Sequence, residues 1–221
     1  MITIEKVRTT GWEEAIRGAR NSFGSWDKSD SGVKQVSPAN WDFVIGENDI
    51  KLLTMLAKGG SSESKYRRVI TVYADITAPL YWWKQYDTYK VGTVTLATST
   101  MHSITDKEFE LNDFSRSYAG ELELLSAIEK LNYNREQYLL CKGNKEYKES
   151  ARIYWGSIIE LLPSSYNQLR TEMLNYEVLA AQYRDRKHHK LDEWKAYCEW
   201  IESLPHSGLI TAEREKFSAR Q

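Results

Sequence analysis

Three features of the 221-residue sequence predict an α+β fold. Two short stretches, residues 2–7 and 69–76, alternate apolar and polar positions with the period of a strand. The second half of the chain instead repeats its apolar residues at helical spacing over several long segments. No internal repeat and no Pro/Gly/Ser-rich linker divides the chain. The expected architecture is therefore a single domain over 1–221, with a mixed or antiparallel sheet flanked by long helices. Residues 205–221 read as a tail.

Residues 2–7 form the first expected strand. Residues 12–20 read as a helix with Thr10 as its cap. Residues 23–38 are polar and turn-rich, with four serines and two aspartates. They read as a loop, either a surface loop or one that orders over a ligand. In 47–57, Ile50, Leu53, Leu56 and Ala57 share a helical face, and Lys58-Gly59-Gly60 stops the helix.

Residues 69–101 are the stretch richest in site-like chemistry. Val69, Thr71, Tyr73 and Asp75 alternate with Ile70, Val72, Ala74 and Ile76, and the β-branched and aromatic content suits a sheet. Pro79 ends that strand and opens a short helix. Tyr81, Trp82 and Trp83 then surround one turn with aromatic rings. Lys84, Gln85, Asp87, Thr88, Tyr89 and Lys90 follow, Gly92 permits a tight turn, and Thr93, Thr95, Thr98, Ser99 and Thr100 supply hydroxyls. Cations, amides and hydroxyls beside an aromatic wall suit a planar, phosphorylated ligand. The competing reading is a buried strand–helix corner with snorkelling lysines.

Further on, Leu122, Leu125, Ile128 and Leu131 predict a helix of about 20 residues. A second helix covers about 147–161 and stops at Pro163. Residues 169–174 are ambiguous. Asn175 is placed to cap a helix running to about residue 186, with Glu177 in its first turn. In 191–204, Trp194, Tyr197, Cys198 and Ile201 line one face of the last helix, which Pro205 and Gly208 end.

Composition narrows the function. The net charge of −1 does not mark a nonspecific nucleic-acid binder. No apolar run reaches membrane-spanning length, and the N-terminus has no signal-peptide core. Cys141 and Cys198 form no CxxC pattern, so a reduced, cytoplasmic protein is expected. His188 and His189, adjacent in a basic run, cannot face one ligand from a helix, so no metal site is expected. Cys198 lies on an apolar face and reads as core rather than nucleophile. Arg184 and Arg186 follow a segment rich in amides and hydroxyls. They read either as holders of a phosphate or pyrimidine edge or as a solvated helix end.

The order of these pieces resembles the flavin-dependent thymidylate synthases. WEEAIRGARNS resembles the family's early helix, and APLYWWKQYDTYK resembles the segment leading through Gln into its Arg-His-Arg signature, seven residues and Ser. Gln85 matches the Gln. Thr88, Tyr89 and Lys90 stand in the Arg-His-Arg place, so only the last keeps its charge. Thr98, with Ser99 beside it, falls at the Ser. Leu162-Pro163, Asn175, Arg184 and the closing LDEWKAYCEWIESLP also match in order. The family's Glu-His is replaced by Lys65-Tyr66.

The resemblance implies a thymidylate synthase-complementing-protein-like fold and FAD-dependent methylation of dUMP to dTMP. Methylenetetrahydrofolate and NADPH would be the co-substrates, in a homotetramer. It places Thr88, Tyr89, Lys90 and Asn175 at the flavin, and Gln85, Thr98, Ser99 and Arg184 at dUMP. The family's scheme needs no side-chain nucleophile, so none is assigned. Two other readings stay open: an enzyme modifying another pyrimidine nucleotide, and a nucleotide-binding or structural paralogue without catalysis.

Overall fold

The computed structural model describes residues 2–116 and 120–213. Its elements run β1 (Thr3–Thr10), α1 (Trp12–Asn21), β2 (Gly32–Ser37), β3 (Asn40–Val44), α2 (Glu47–Lys58), β4 (Thr71–Pro79), α3 (Leu80–Tyr86), β5 (Val94–Ala97), α4 (Glu121–Cys141), α5 (Lys148–Leu161), β6 (Asn167–Asn175), α6 (Tyr176–Arg186), α7 (Asp192–Ser203) and α8 (Gly208–Thr211). Short 3-10 turns occupy Trp26–Lys28, Ser64–Arg68 and Leu111–Asp113. One sheet has the order β1-β4-β6-β5, and β2 and β3 form a separate antiparallel hairpin. β4 and β6 are antiparallel: Leu80 N donates to Tyr166 O and Tyr176 N to Ile70 O. This is the α+β class expected from the periodicities.

The chain divides into two compact units, and the boundary falls inside β4 and β6. The first comprises Met1–Thr3, Ile76–Thr88 and Leu96–Thr171. Its helices α4 and α5 bury Leu124, Ile128, Leu131 and Ile158 against Ile104, Phe109 and Phe114. In α3, Trp82, Trp83 and Tyr86 are all buried. Their rings pack with centroids 4.8–5.0 Å apart, and Trp83 Nε1 donates to Gln168 O at 3.0 Å. The aromatic wall is therefore core: each ring removes about 150–250 Å² from water, and the indole of Trp83 has a backbone partner.

The second unit comprises Ile4–Asp75, Tyr89–Thr95 and Glu172–Gln221. Here α1 starts at Gly11, not on a side-chain cap from Thr10. Gly11 has φ +86, and a Cβ there would stand 2.3 Å from Val69 O, so backbone approach, not capping, selects that residue. The segment read as a loop, 23–38, contains a 3-10 turn and β2, which pairs with β3 from Gly32↔Val44 to Ser37↔Asn40. Its polar start is ordered by Asp49 of α2, which is fully buried. Asp49 accepts from Arg20 Nε (2.6 Å), Ser29 Oγ (2.7 Å), Ser31 Oγ (2.6 Å) and the backbone N–H groups of Asp30 and Ser31. Ser29, Asp30 and Ser31 of the loop thus serve a buried carboxylate within the chain.

The ambiguous stretch 169–174 lies in β6. Asn175 caps α6 as expected, accepting from Glu177 N and Val178 N. The expected tail is folded where described: α8 buries Leu209 and Ile210. Residues 214–221 of that tail lie outside the described residues.

Candidate functional site

In the first unit, Gln85 and Thr88 sit at the C-terminal end of α3. Thr88 Oγ1 donates to Gln85 O at 2.7 Å, closing the last turn. Thr98 follows β5, and both its N–H (2.9 Å) and its hydroxyl (3.1 Å) donate to Leu169 O. Ser99 Oγ accepts from the N–H groups of Met101 and His102 at 3.2 and 3.1 Å. Its own hydroxyl proton remains available as a donor. Thr98 and Ser99 line a polar cavity of about 330 Å³ together with Thr77, Lys107, Tyr166 and Asn167. Lys107 is ion-paired with Asp113 there, a contact that raises the lysine's pKa.

In the second unit, Tyr89 is half-buried and engaged. Its hydroxyl accepts from Arg186 Nε at 3.0 Å and lies 3.4 Å from Asp185 Oδ2. The Arg186 guanidinium stands 5.5 Å from the Tyr89 ring centroid and 4.9 Å from that of Trp194, a cation held between two aromatic faces. Burial raises the pKa of Tyr89 against the opposing effect of Arg186, so the phenol is a neutral donor. Lys90 is exposed. Asn175 uses both ends of its amide: Oδ1 caps α6 and Nδ2 donates to Gly92 O at 3.3 Å. Gly92 has φ +84, and a Cβ there would stand 2.8 Å from that Nδ2, so this close approach also requires glycine.

Arg184 lines a second cavity and shares Asp185 with the Tyr89 hydroxyl. It is exposed, with Nε 3.2 Å from Asp185 Oδ1. This cavity, about 300 Å³, is formed by the Ser64–Arg68 turn, one face of α6 and α8. Ala180 and Ala181 leave space in it, while Arg67, Arg184 and Lys187 bring positive charge and Glu177 and Glu213 negative charge.

Arg67 is the unusual member. It is 1% exposed, its Nη2 donates to Ala57 O at 3.2 Å, and its Nη1 reaches Glu177 Oε2 only at 3.5 Å. Its Nε has no hydrogen-bond partner among the described residues. A buried guanidinium with an unmet donor is costly to keep.

The sequence reading overlooked Arg67, because adjacent Arg67 and Arg68 look alike and only packing buries the first and exposes the second. It weighed Arg184 and Arg186 together, whereas two residues of helix place them on different faces, Arg184 at the cavity and Arg186 against Tyr89. Tyr66, in the place of the family's Glu-His, is core: its hydroxyl donates to Leu53 O at 2.7 Å and burial pushes its pKa up to about 12. Cys198 is buried with its thiol pushed up to about 11, which removes it as a nucleophile. Among the described residues no cluster of His, Cys, Asp and Glu could hold a metal ion, and no helix is long and apolar enough to cross a membrane.

No protein-family model matches the sequence, and no curated protein matches it. Solved structures do match. Thymidylate synthase X from Helicobacter pylori, crystallised with FAD and dUMP, is similar with a TM-score of 0.68 and 14% identity, over 95% of this chain and 96% of that one. A second structure of the flavin-dependent enzyme from the same organism, also with FAD and dUMP, gives 0.67 and 16%, over 96% and 100%. The UMP/dUMP methylase PolB from Streptomyces cacaoi, bound with 5-Br dUMP, gives 0.59 and 15%, over 95% and 94%. The chain therefore has the fold of the flavin-dependent thymidylate synthases, along almost its whole length.

Proposed function

We propose that this protein is a flavin-dependent enzyme that modifies a pyrimidine nucleotide, and that its reaction is the methylation of dUMP to dTMP. The supporting observation is the likeness, over 95% of the chain, to structures holding FAD and dUMP. The cavity beside Arg67 suits a phosphate-bearing ligand: Arg67, Arg184 and Lys187 all line it. Both FAD and dUMP carry phosphate, and a cavity of this size takes a nucleotide fragment rather than a whole dinucleotide.

When bound, the flavin would supply hydride transfer and one-carbon relay from methylenetetrahydrofolate, with NADPH as reductant. The residues of the chain would bind and orient. Arg67, Arg184 and Lys187 would hold phosphate, in the best geometry bidentately through the arginines. Gln85 and the free hydroxyl proton of Ser99 would donate to the nucleotide, with Thr98 beside it. Lys90 would pair with an anionic group of the flavin. Thr88 and Tyr89 would shape the flavin's surroundings, Tyr89 as a neutral donor held by Arg186. Asn175, whose amide is committed to α6 and Gly92, would act on the flavin by fixing the Gly92 turn. No side chain is assigned as nucleophile.

We also propose a cytoplasmic homotetramer in which the 221 residues work as one domain. β5 supports an oligomer: it is a sheet-edge strand, with Val94 50% and Leu96 69% exposed and Val91 92% exposed just before it. Such an apolar edge is a liability unless something covers it. The likeness to a UMP/dUMP methylase favours a second reading, in which UMP is also accepted.

An absorbance spectrum of the purified protein, before and after adding FAD, tests the proposal. A flavin band together with binding of dUMP or UMP by calorimetry is the expected result. A colourless protein that takes up neither FAD nor nucleotide would leave a structural paralogue.

A further inference from the structure

We infer that Arg170 is a positioning residue, which fixes the end of α3 relative to the turn that begins at Thr98. The inference rests on the reading of Gln85, Thr98 and Ser99 as nucleotide contacts. Arg170 lies on β6, two residues from Gln168 and on the same face of the strand. Its guanidinium is 4.1 Å from the Trp83 ring centroid. Nη1 donates to Asp87 Oδ1 at 2.7 Å and Nη2 approaches Asp87 Oδ2 at 3.5 Å. Nε donates to Gln168 Oε1 at 3.0 Å. The Gln168 amide continues the relay, with Nε2 donating to Thr98 O at 2.7 Å. Trp83 Nε1 closes the network on Gln168 O.

One guanidinium therefore uses its face, its fork and its Nε at once. The fork ends on Asp87, between Gln85 and Thr88 in sequence. The relay ends on the carbonyl of Thr98, next to Ser99. The Arg170 side chain is 12% exposed and Gln168 is buried, so the bonds between them act at reduced dielectric, while Asp87, 43% exposed, holds the fork nearer to solvent. An ion pair serving stability alone would need neither the stack nor the relay. Lysine could keep the charge opposite Asp87, but it lacks the planar face and the second donor direction that reaches Gln168.

The test uses the full-length protein with Arg170→Lys, Gln168→Glu and, as a control, Arg152→Gln in the exposed pair with Glu149. Gln168→Glu keeps the acceptor for Arg170 but turns a carboxylate oxygen on the Thr98 carbonyl. Without nucleotide, hydrogen exchange over residues 96–101 should accelerate in both network variants and not in the control. Calorimetric titration should show dUMP affinity falling about ten-fold or more in both, because small misplacements of binding groups are expensive. Circular dichroism should remain that of the folded protein. Unchanged exchange and unchanged affinity in folded variants would overturn the inference, as would a lowered melting temperature with wild-type affinity. Should Arg170→Lys fail to fold, Gln168→Glu decides the question by the same two readouts. Altered exchange in a protein whose wild type binds neither dUMP nor UMP would instead sink the nucleotide reading, and the positioning role with it.

Discussion

Two arginine–carboxylate pairs in the second unit, each with a buried arginine, differ in how completely they are satisfied. Arg20 and Asp49 meet at 2.6 Å, and the other Arg20 donors reach Ser25 O and Lys28 O. Asp49 adds two serine hydroxyls and two backbone N–H groups, so the pair organises the chain from α1 through residue 31. Arg67 and Glu177 stand at 3.5 Å beside a cavity, and the buried Nε of Arg67 has no hydrogen-bond partner among the described residues. Desolvating an ion pair is costly in both places. In the first pair nearby hydrogen bonds offset that cost, so the pair acts as scaffold. In the second Arg67 keeps an unmet donor, so the offset is smaller.

Removing the scaffold carboxylate is the most severe way to test this contrast. Asp49→Ala leaves Arg20 buried without its counter-ion and strips the Asp30 and Ser31 N–H groups and the Ser29 and Ser31 hydroxyls of their acceptor. It should cost about 3–5 kcal/mol in chemical denaturation. A loss below about 1 kcal/mol would erase the distinction between the two pairs.

Arg67→Met should behave in the opposite way. Methionine fills similar space, and the Glu177 side chain is 20% exposed, so its carboxylate can rehydrate. Stability should change by less than about 1.5 kcal/mol, since exchanging such charges for apolar groups is often neutral. Affinity for FAD or dUMP should fall by about 1.5–3 kcal/mol, the contribution of a hydrogen bond to a charged group. The ligand that is lost identifies whose phosphate the cavity holds. Equal binding of both ligands by the variant and the wild type would make Arg67 a second scaffold arginine.

Acid sharpens the comparison further. Burial pushes the Asp49 carboxyl upward, but hydrogen bonds from Ser31, Ser29 and Arg20 outweigh it, and the net pKa lies below the ordinary 3.8. A carboxylate whose folded pKa is depressed contributes stability that is fully present above its unfolded pKa. That contribution disappears as pH falls through the lower folded value. Stability of the wild type should therefore drop below about pH 4, whereas Asp49→Ala should show a shallower decline. Parallel acid curves would count against the assignment.

The smallest expected effect separates Arg184 from its neighbours. Arg184→Lys keeps charge at the mouth of the cavity but removes the fork. If Arg184 grips a nucleotide phosphate, dUMP affinity should drop measurably, with folding and any bound flavin unaffected. If it is a solvated helix end paired with Asp185, the change should be within about 0–1 kcal/mol. Calorimetry on both proteins distinguishes the outcomes.

Much of this architecture was legible in the residues themselves. Local rules fixed α2, α4, α5, α6 and α7, because helical periodicity, Asn175 as cap, and Pro163 and Gly59 as stops act within a few residues of where they stand. Pro79 between strand and helix acts in the same way. The order of motifs carried the fold, which the likeness to solved structures bears out. What escaped depended on contacts far apart in sequence. Residues 29–31 of the expected loop are ordered because Asp49, some twenty residues on, supplies acceptors that no local pattern announces, and residues 32–37 pair as a strand with 40–44. The tryptophans of α3 became core because β6 offers a carbonyl to one of them.

Among the charged residues the division is sharper still. Sequence alone supplied cations at 67, 68, 90, 170, 184 and 186 and could rank them only by resemblance. Tertiary packing buried Arg67, exposed Arg68 and Lys90, laid Arg170 on Trp83, set Arg186 against Tyr89 and turned Arg184 toward the cavity. The physical reason is that secondary structure is selected by propensities and spacings of a few residues. The energy of a charge instead depends on desolvation and on partners brought from anywhere in the chain.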